Sequence, residues 1–133
     1  MVKNMKSKKV LHTLVIPIFS FFIVVYSDSG FSACGSAESF CYHFKKDKLV
    51  KSSKCTEWMC ANVHGGSSGW TWPNGDQMWE RKGDAEYGES GTFFNEKPAN
   101  FFKRNYKKHK NMSCFRLLKK NEVFCGVKSK QSW

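Results

Sequence analysis

The chain has 133 residues, a formal net charge of +11, an aromatic content of 16% and six cysteines. That length leaves room for one folded domain and excludes a second, and an even cysteine count in a short chain points away from a reducing compartment.

Residues 1–33 read as a secretory signal peptide. Lys3, Lys6, Lys8 and Lys9 precede an apolar run over 10–26, which ends in Ser27-Asp28-Ser29-Gly30. Basic, then apolar, then small and polar is the order that the export machinery accepts. Cleavage is expected between 29 and 37, leaving residues 34–133 as one small β-rich domain, periplasmic or secreted. Two alternatives stand beside it. An uncleaved signal anchor is one, because the apolar run approaches the length of about 18 residues at which a spanning helix begins. A lipid anchor through Cys34 is the other, because Phe31-Ser32-Ala33-Cys34 resembles a bacterial lipoprotein cleavage site. Lipidation would leave one cysteine unpaired, whereas ordinary cleavage leaves six that pair fully.

Along the mature chain, short apolar runs alternate with turn signals and helical periodicity is scarce. Strands are expected at 39–44, 49–52, 55–59, 70–72, 77–81, 92–94, 112–118 and 122–127. Gly65-Gly66-Ser67-Ser68-Gly69 reads as a loop by composition, Asn95-Glu96-Lys97-Pro98 as a turn, and 101–110 as the one helical segment. The stretch 70–79 organises the rest. Trp70 and Trp72 share a strand face by period-two spacing, Pro73-Asn74-Gly75-Asp76 makes a turn, and Trp79 follows on the return strand. The expected fold is mostly β: a small disulfide-stapled antiparallel sheet, sandwich or barrel.

Six cysteines allow 15 pairings. Loop closure favours near neighbours, so Cys114 is expected to pair with Cys125 across a hairpin and Cys41 with Cys55, leaving Cys34 with Cys60. Cys55 and Cys60 also have a zinc-like spacing, but they lack a second close pair, and no metal or other cofactor is expected.

Charge is unevenly placed. The mature chain carries 18 basic and 10 acidic residues, a net charge of +8. Residues 76–96 hold six acids against Arg81 and Lys82, while 97–120 hold nine basic residues and no acid. In the second block Phe101, Phe102, Tyr106 and Phe115 interleave with Lys103, Arg104, Lys107, Lys108, Lys110 and Arg116, a composition able to bind a polyanion by charge and stacking. The catalytic inventory is poor. His43 and His109 with a nearby lysine are the residues a secreted ribonuclease would need as base and acid, but no nucleophile, metal or phosphate-loop signature accompanies them.

Ser68-Gly69-Trp70-Thr71-Trp72-Pro73-Asn74-Gly75, followed by Trp79 and Lys82-Gly83-Asp84, resembles the core motif of the bacterial periplasmic and membrane-bound C-type lysozyme inhibitors. Trp72 stands where that family favours Tyr, and the cysteine arrangement differs. The resemblance implies a small β-barrel whose inhibitory serine and lysine fall on Ser68 and Lys82, meeting the catalytic carboxylates of a wall-degrading enzyme. Looser similarity over Phe40-Cys41-Tyr42-His43, Asn95-Glu96-Lys97-Pro98-Ala99 and Val123-Phe124-Cys125-Gly126 is to small exported proteobacterial proteins and implies location alone. The leading expectation is a non-enzymatic exported protein engaging an anionic polymer or lipid surface through 97–120. A glycosidase inhibitor and a small ribonuclease are the alternatives.

Overall fold

The computed structural model describes residues 33–130. The signal-peptide and signal-anchor readings lie outside the described residues, apart from Ala33 at the end of the former. Eight strands follow in order: β1 (Ala33–Lys45), β2 (Lys48–Asn62), β3 (Gly65–Thr71), β4 (Gln77–Gly83), β5 (Gly91–Phe94), β6 (Lys97–Tyr106), β7 (His109–Leu117) and β8 (Glu122–Gly126). Each pairs antiparallel with the next and β8 returns to β1, closing an up-and-down barrel. Closure removes the free sheet edges that an exposed strand would otherwise offer for aggregation.

Tight turns set the registers. Lys46 and Asp47 take φ of 49° and 61° between β1 and β2, the two-residue type I′ geometry whose twist matches the flanking strands. Beyond Trp72 the chain reverses through Gly75 at φ 93°, with Trp72 N–H donating to the Asp76 carbonyl at 2.8 Å and Gly75 N–H to the Trp72 carbonyl at 2.9 Å. The hairpin expected over 70–79 is therefore present.

Two expected elements are not. Residues 65–69 form most of β3 rather than a loop, because their small size is needed for close approach and not for flexibility. A Cβ added at Gly69 would lie 2.3 Å from the Met78 carbonyl oxygen and 2.5 Å from the Trp79 Cβ, so β4 seats directly against a bare backbone. Residues 101–110 are strand, turn and strand instead of helix. Exposure alternates with period two along β6, half-buried Phe102, Arg104 and Tyr106 falling between exposed Phe101, Lys103 and Asn105, and Lys107 reverses the chain at φ 51°.

Apolar residues gather on both faces of part of the sheet. One cluster contains Cys41, Cys55, Trp70, Trp72, Met78, Ala99 and Phe115, with Phe94 and Phe124 against it. It draws on all eight strands or their immediate continuation, so it fills the barrel. Trp70 packs edge-on to Phe115 with ring centroids 6.2 Å apart and donates its indole N–H to the Val127 carbonyl at 3.0 Å. Truncating such a tryptophan typically costs about 3–5 kcal/mol. The second cluster, Phe44, Met112, Cys114, Val123 and Cys125, draws only on β1, β7 and β8. Consecutive residues point to opposite faces, so Cys114 and Phe115, adjacent in β7, belong to different clusters. Tyr42, Phe102 and Tyr106 pack over this second face.

Three disulfides each join neighbouring strands: Cys34–Cys60 and Cys41–Cys55 between β1 and β2, and Cys114–Cys125 between β7 and β8. Loop closure favoured these pairs, and registers that set Cys34 opposite Cys60 and Cys114 opposite Cys125 provide the geometry. Cys34 therefore has no thiol left to carry a lipid, which corrects the lipid-anchor alternative for the oxidised protein. Cys55 and Cys60 sit in different disulfides, so their zinc-like spacing joins no metal ligands.

Candidate functional site

An up-and-down barrel sorts its connections by parity. The β1–β2, β3–β4, β5–β6 and β7–β8 connections lie at one end, the first. The β2–β3, β4–β5 and β6–β7 connections lie at the other, the second.

This sorting separates residues that the sequence runs together. Lys97, Lys119 and Lys120 come to the first end, beside Lys45, Lys46 and Lys48, and Lys46 N–H donates to the Asn121 carbonyl at 3.0 Å. Lys107, Lys108 and Lys110 stay at the second end, the same end as Asp84, Glu86 and Glu89. Lys103 and Arg104, adjacent on β6, point to opposite faces. The Lys103 ammonium donates to Ser113 Oγ at 2.8 Å and sits 5.2 Å from the Phe101 ring centre. The Arg104 guanidinium lies 4.1 Å from the Phe44 ring centre and covers the second cluster. Arg116 stacks near Phe102 on that same face at 5.3 Å. The block 97–120 is thus not one basic surface, and several of its cations cap aromatic rings.

The two candidate catalytic histidines are also divided. His43 stacks on Phe124 at 4.1 Å with its Nε2 3.6 Å from Glu122, whereas the His109 ring lies 5.7 Å from Tyr42. His43 and Tyr42 are consecutive in β1 and face opposite ways, so the imidazoles do not share a site as base and acid.

Ser68 and Lys82 are brought together. In the β3–β4 register Ser68 lies opposite Glu80 and Gly66 opposite Lys82. Ser68, Glu80 and Lys82 consequently share the face that also carries Trp70 and Met78, with Ser68 and Lys82 as diagonal neighbours. The Lys82 side chain is 81% exposed and its ammonium stands 3.7 Å from the Glu80 carboxylate. Little packing holds it, and it is free to exchange Glu80 for another carboxylate.

The segment after Lys82 is fixed by a residue that the sequence did not mark as functional. His64, in the β2–β3 turn, places Nδ1 3.0 Å from Asp84 Oδ2 and Nε2 3.0 Å from Glu86 Oε2. Its own carbonyl accepts the Asp84 N–H at 2.8 Å. The hydrogen bond with Asp84 and the charges of Asp84 and Glu86 raise the His64 pKa above its ordinary 6.5. The same hydrogen bond, with the Glu86 and Tyr87 backbone donors, lowers Asp84 below its ordinary 3.8. Tyr87 completes the clasp: its hydroxyl lies 3.1 Å from Ser67 Oγ. The signal in the sequence was a lone histidine directly before the glycine-rich stretch that forms β3, with an acid-rich loop 20 residues on, and only the barrel closes that distance.

Comparison with known proteins returns no significant match to a family model, a curated protein or a solved structure.

Proposed function

We propose that this chain is an exported, non-enzymatic binding protein that blocks the cleft of a wall-degrading glycosidase, with Ser68 and Lys82 as its contacts. The observation that carries the reading is the β3–β4 register, which sets a hydroxyl and an exposed ammonium diagonally on one face. Diagonal neighbours on a sheet lie about 7–8 Å apart, and a flexible lysine covers the difference to the separation of about 5–5.5 Å between the catalytic carboxylates of a retaining glycosidase. On docking, Lys82 leaves Glu80 for the ionised carboxylate of the cleft and Ser68 donates its hydroxyl proton to the second. Both contacts are strengthened where water is excluded. The acids of the neighbouring β4–β5 loop lower the local positive potential of a basic chain, easing approach to a basic enzyme. The disulfides suit an oxidising, extracytoplasmic location.

The test is inhibition of a C-type lysozyme by the oxidised protein and its variants. Losing a charge-assisted contact in a desolvated interface costs about 2–5 kcal/mol, so Lys82→Ala should weaken inhibition by about 30-fold or more. Ser68→Ala should weaken it less, and Glu80→Gln, which releases Lys82, should tighten it. Absence of inhibition by the intact protein, or inhibition indifferent to Lys82 and Ser68, sinks the proposal.

A second reading, engagement of an anionic polymer or lipid surface, is supported by the gathering of Lys45, Lys46, Lys48, Lys97, Lys119 and Lys120 at the first end. It predicts binding to heparin that falls steeply with salt and depends on that end, not on Lys107, Lys108 and Lys110.

A further inference from the structure

At the first end of the barrel the β5–β6 turn and the β7–β8 loop flank an open cleft of about 930 Å³. Its lining divides by chemistry. Trp79, Phe94, Pro98, Leu117 and Leu118 make apolar walls, and Lys97, Lys119 and Lys120 supply the cations. Leu118 is 59% exposed and presents its apolar side chain to the cleft. The volume falls in the range of about 300–1,000 Å³ usual for small-molecule sites.

The polar groups of the cleft other than these lysines are largely committed within the protein. The Trp79 indole N–H donates to the Asn95 carbonyl at 2.7 Å, which also fixes the plane of the ring. The Asn95 side chain accepts from Gln77 N–H at 2.9 Å and donates to Asp76 at 3.3 Å. The Gln77 side chain donates to Thr71 Oγ1 at 3.4 Å. No ion pair among the described residues engages Lys97, Lys119 or Lys120. Glu96 is the single carboxylate of the lining, against three ammonium groups. A sugar needs many converging donors and acceptors, and this cleft has few to spare. A simple polyanion would leave the apolar walls unused.

We propose that the cleft binds a single amphiphilic anion, a molecule with one acyl or similarly extended apolar chain and a carboxylate, sulfate or phosphate head. The chain lies on Trp79, Phe94, Pro98, Leu117 and Leu118, and burial of those surfaces supplies the affinity. The head meets Lys119 and Lys120 from one side and Lys97 from the other. The concave shape favours one molecule entering over the flat face of a bilayer. Lys82 lies toward the other end of the barrel, and Ser68 points to the opposite sheet face from Trp79, so the site does not depend on their role.

Isothermal titration of the oxidised protein with sodium laurate below its micellar concentration tests this. Acetate has the head without the chain, dodecanol the chain without the charge, and phosphatidylglycerol vesicles present anionic heads in a bilayer. Laurate should saturate at one molecule per chain, with dodecanol at least about tenfold weaker, acetate silent and vesicles inert. Lys119→Glu with Lys120→Glu should weaken laurate by about tenfold or more, and Leu118→Asp should abolish binding. Lys107→Glu with Lys108→Glu, at the other end, should leave it unchanged. These side chains are solvent-facing loop and turn positions, and a thermal midpoint matching that of the unmodified protein shows that each variant folds. Absence of saturable laurate binding, equal affinity for dodecanol, indifference to both first-end variants, or binding to vesicles alone each overturns the proposal.

Discussion

Gly126 is the sharpest test of how the barrel is packed. It takes no positive φ, so the backbone itself would accept alanine. Space would not: an added Cβ comes within 2.3, 2.4 and 2.6 Å of Cδ2, Cε2 and Cγ of Trp70. Trp70 has little room to yield, being 6% exposed, packed on Phe115 and tethered through its indole N–H to Val127. Overpacking a well-filled core costs about 1–3 kcal/mol. A rotated indole would lose its partner, adding about 1–3 kcal/mol for a buried donor left unsatisfied. Restricting the unfolded chain by replacing glycine returns about 0.4–1 kcal/mol. The net expectation for Gly126→Ala is about 3 kcal/mol of destabilisation. With an unfolding entropy of about 0.2 kcal/mol/K for a domain of about 100 residues, that lowers Tm by about 15 °C. Thermal unfolding followed by near-ultraviolet circular dichroism on the oxidised protein measures it. The same substitution in a Trp70→Leu background should cost less than about 1 kcal/mol, because the clash has been removed. An unchanged Tm, or an equal cost in both backgrounds, refutes the reasoning.

The remaining expectations are briefer. The disulfides close separations of 26, 14 and 11 residues. Each contributes about 3 kcal/mol through the entropy of the unfolded chain. Their sum is comparable to the whole stability of a small domain, so full reduction should unfold the protein at 37 °C, seen as loss of near-ultraviolet signal; a native spectrum in excess reductant would contradict this. The His64–Asp84 clasp makes stability depend on pH at both sides of a window. His64, with its pKa raised, contributes fully below 6.5 and loses its contribution as pH rises through the folded value. Asp84, with its pKa lowered, contributes above 3.8 and loses its contribution as pH falls through the folded value. The Tm difference between the unmodified protein and His64→Gln should therefore be greatest between those limits and shrink at pH 8 and again at pH 2; a flat difference would show that the clasp carries no charge interaction. Glu57, 4% exposed, accepts the Ser129 N–H at 2.6 Å. Glu57→Ala should free the segment after β8, with amide exchange at Ser129 accelerated while that of Phe115 stays slow, and equal protection of both would argue against this anchor.

Much of the architecture was written in local pattern. Short aromatic or apolar runs such as 39–44 and 112–118, turn residues such as Asn74-Gly75 and cysteines close in sequence are short-range signals, and a β-rich stapled domain follows from them. Two segments misled for physical reasons. Glycine and serine at 65–69 carry the same composition whether they make a mobile loop or a strand that a neighbour approaches closely, and Gly69 against Trp79 settles it only once β4 is in place. At 101–110, aromatic and basic residues fit a helix or a strand, and pairing with β7 selects the strand.

The candidate sites were less legible. From the sequence alone came the hairpin over 70–79, the small exported domain as an expectation, and the pairing of Ser68 with Lys82 as a motif, because each depends on residues near one another along the chain. Tertiary structure decided which charges are neighbours. Barrel closure sends successive turns to alternate ends, so the continuous basic block of 97–120 is split between them, while Lys45, Lys46 and Lys48 join Lys119 and Lys120 from the far end of the sequence. It also joined His64 to Asp84 and opened a cleft between the β5–β6 turn and the β7–β8 loop. Those arrangements rest on strand order and register, which are global properties of a closed sheet, and no local window of residues contains them.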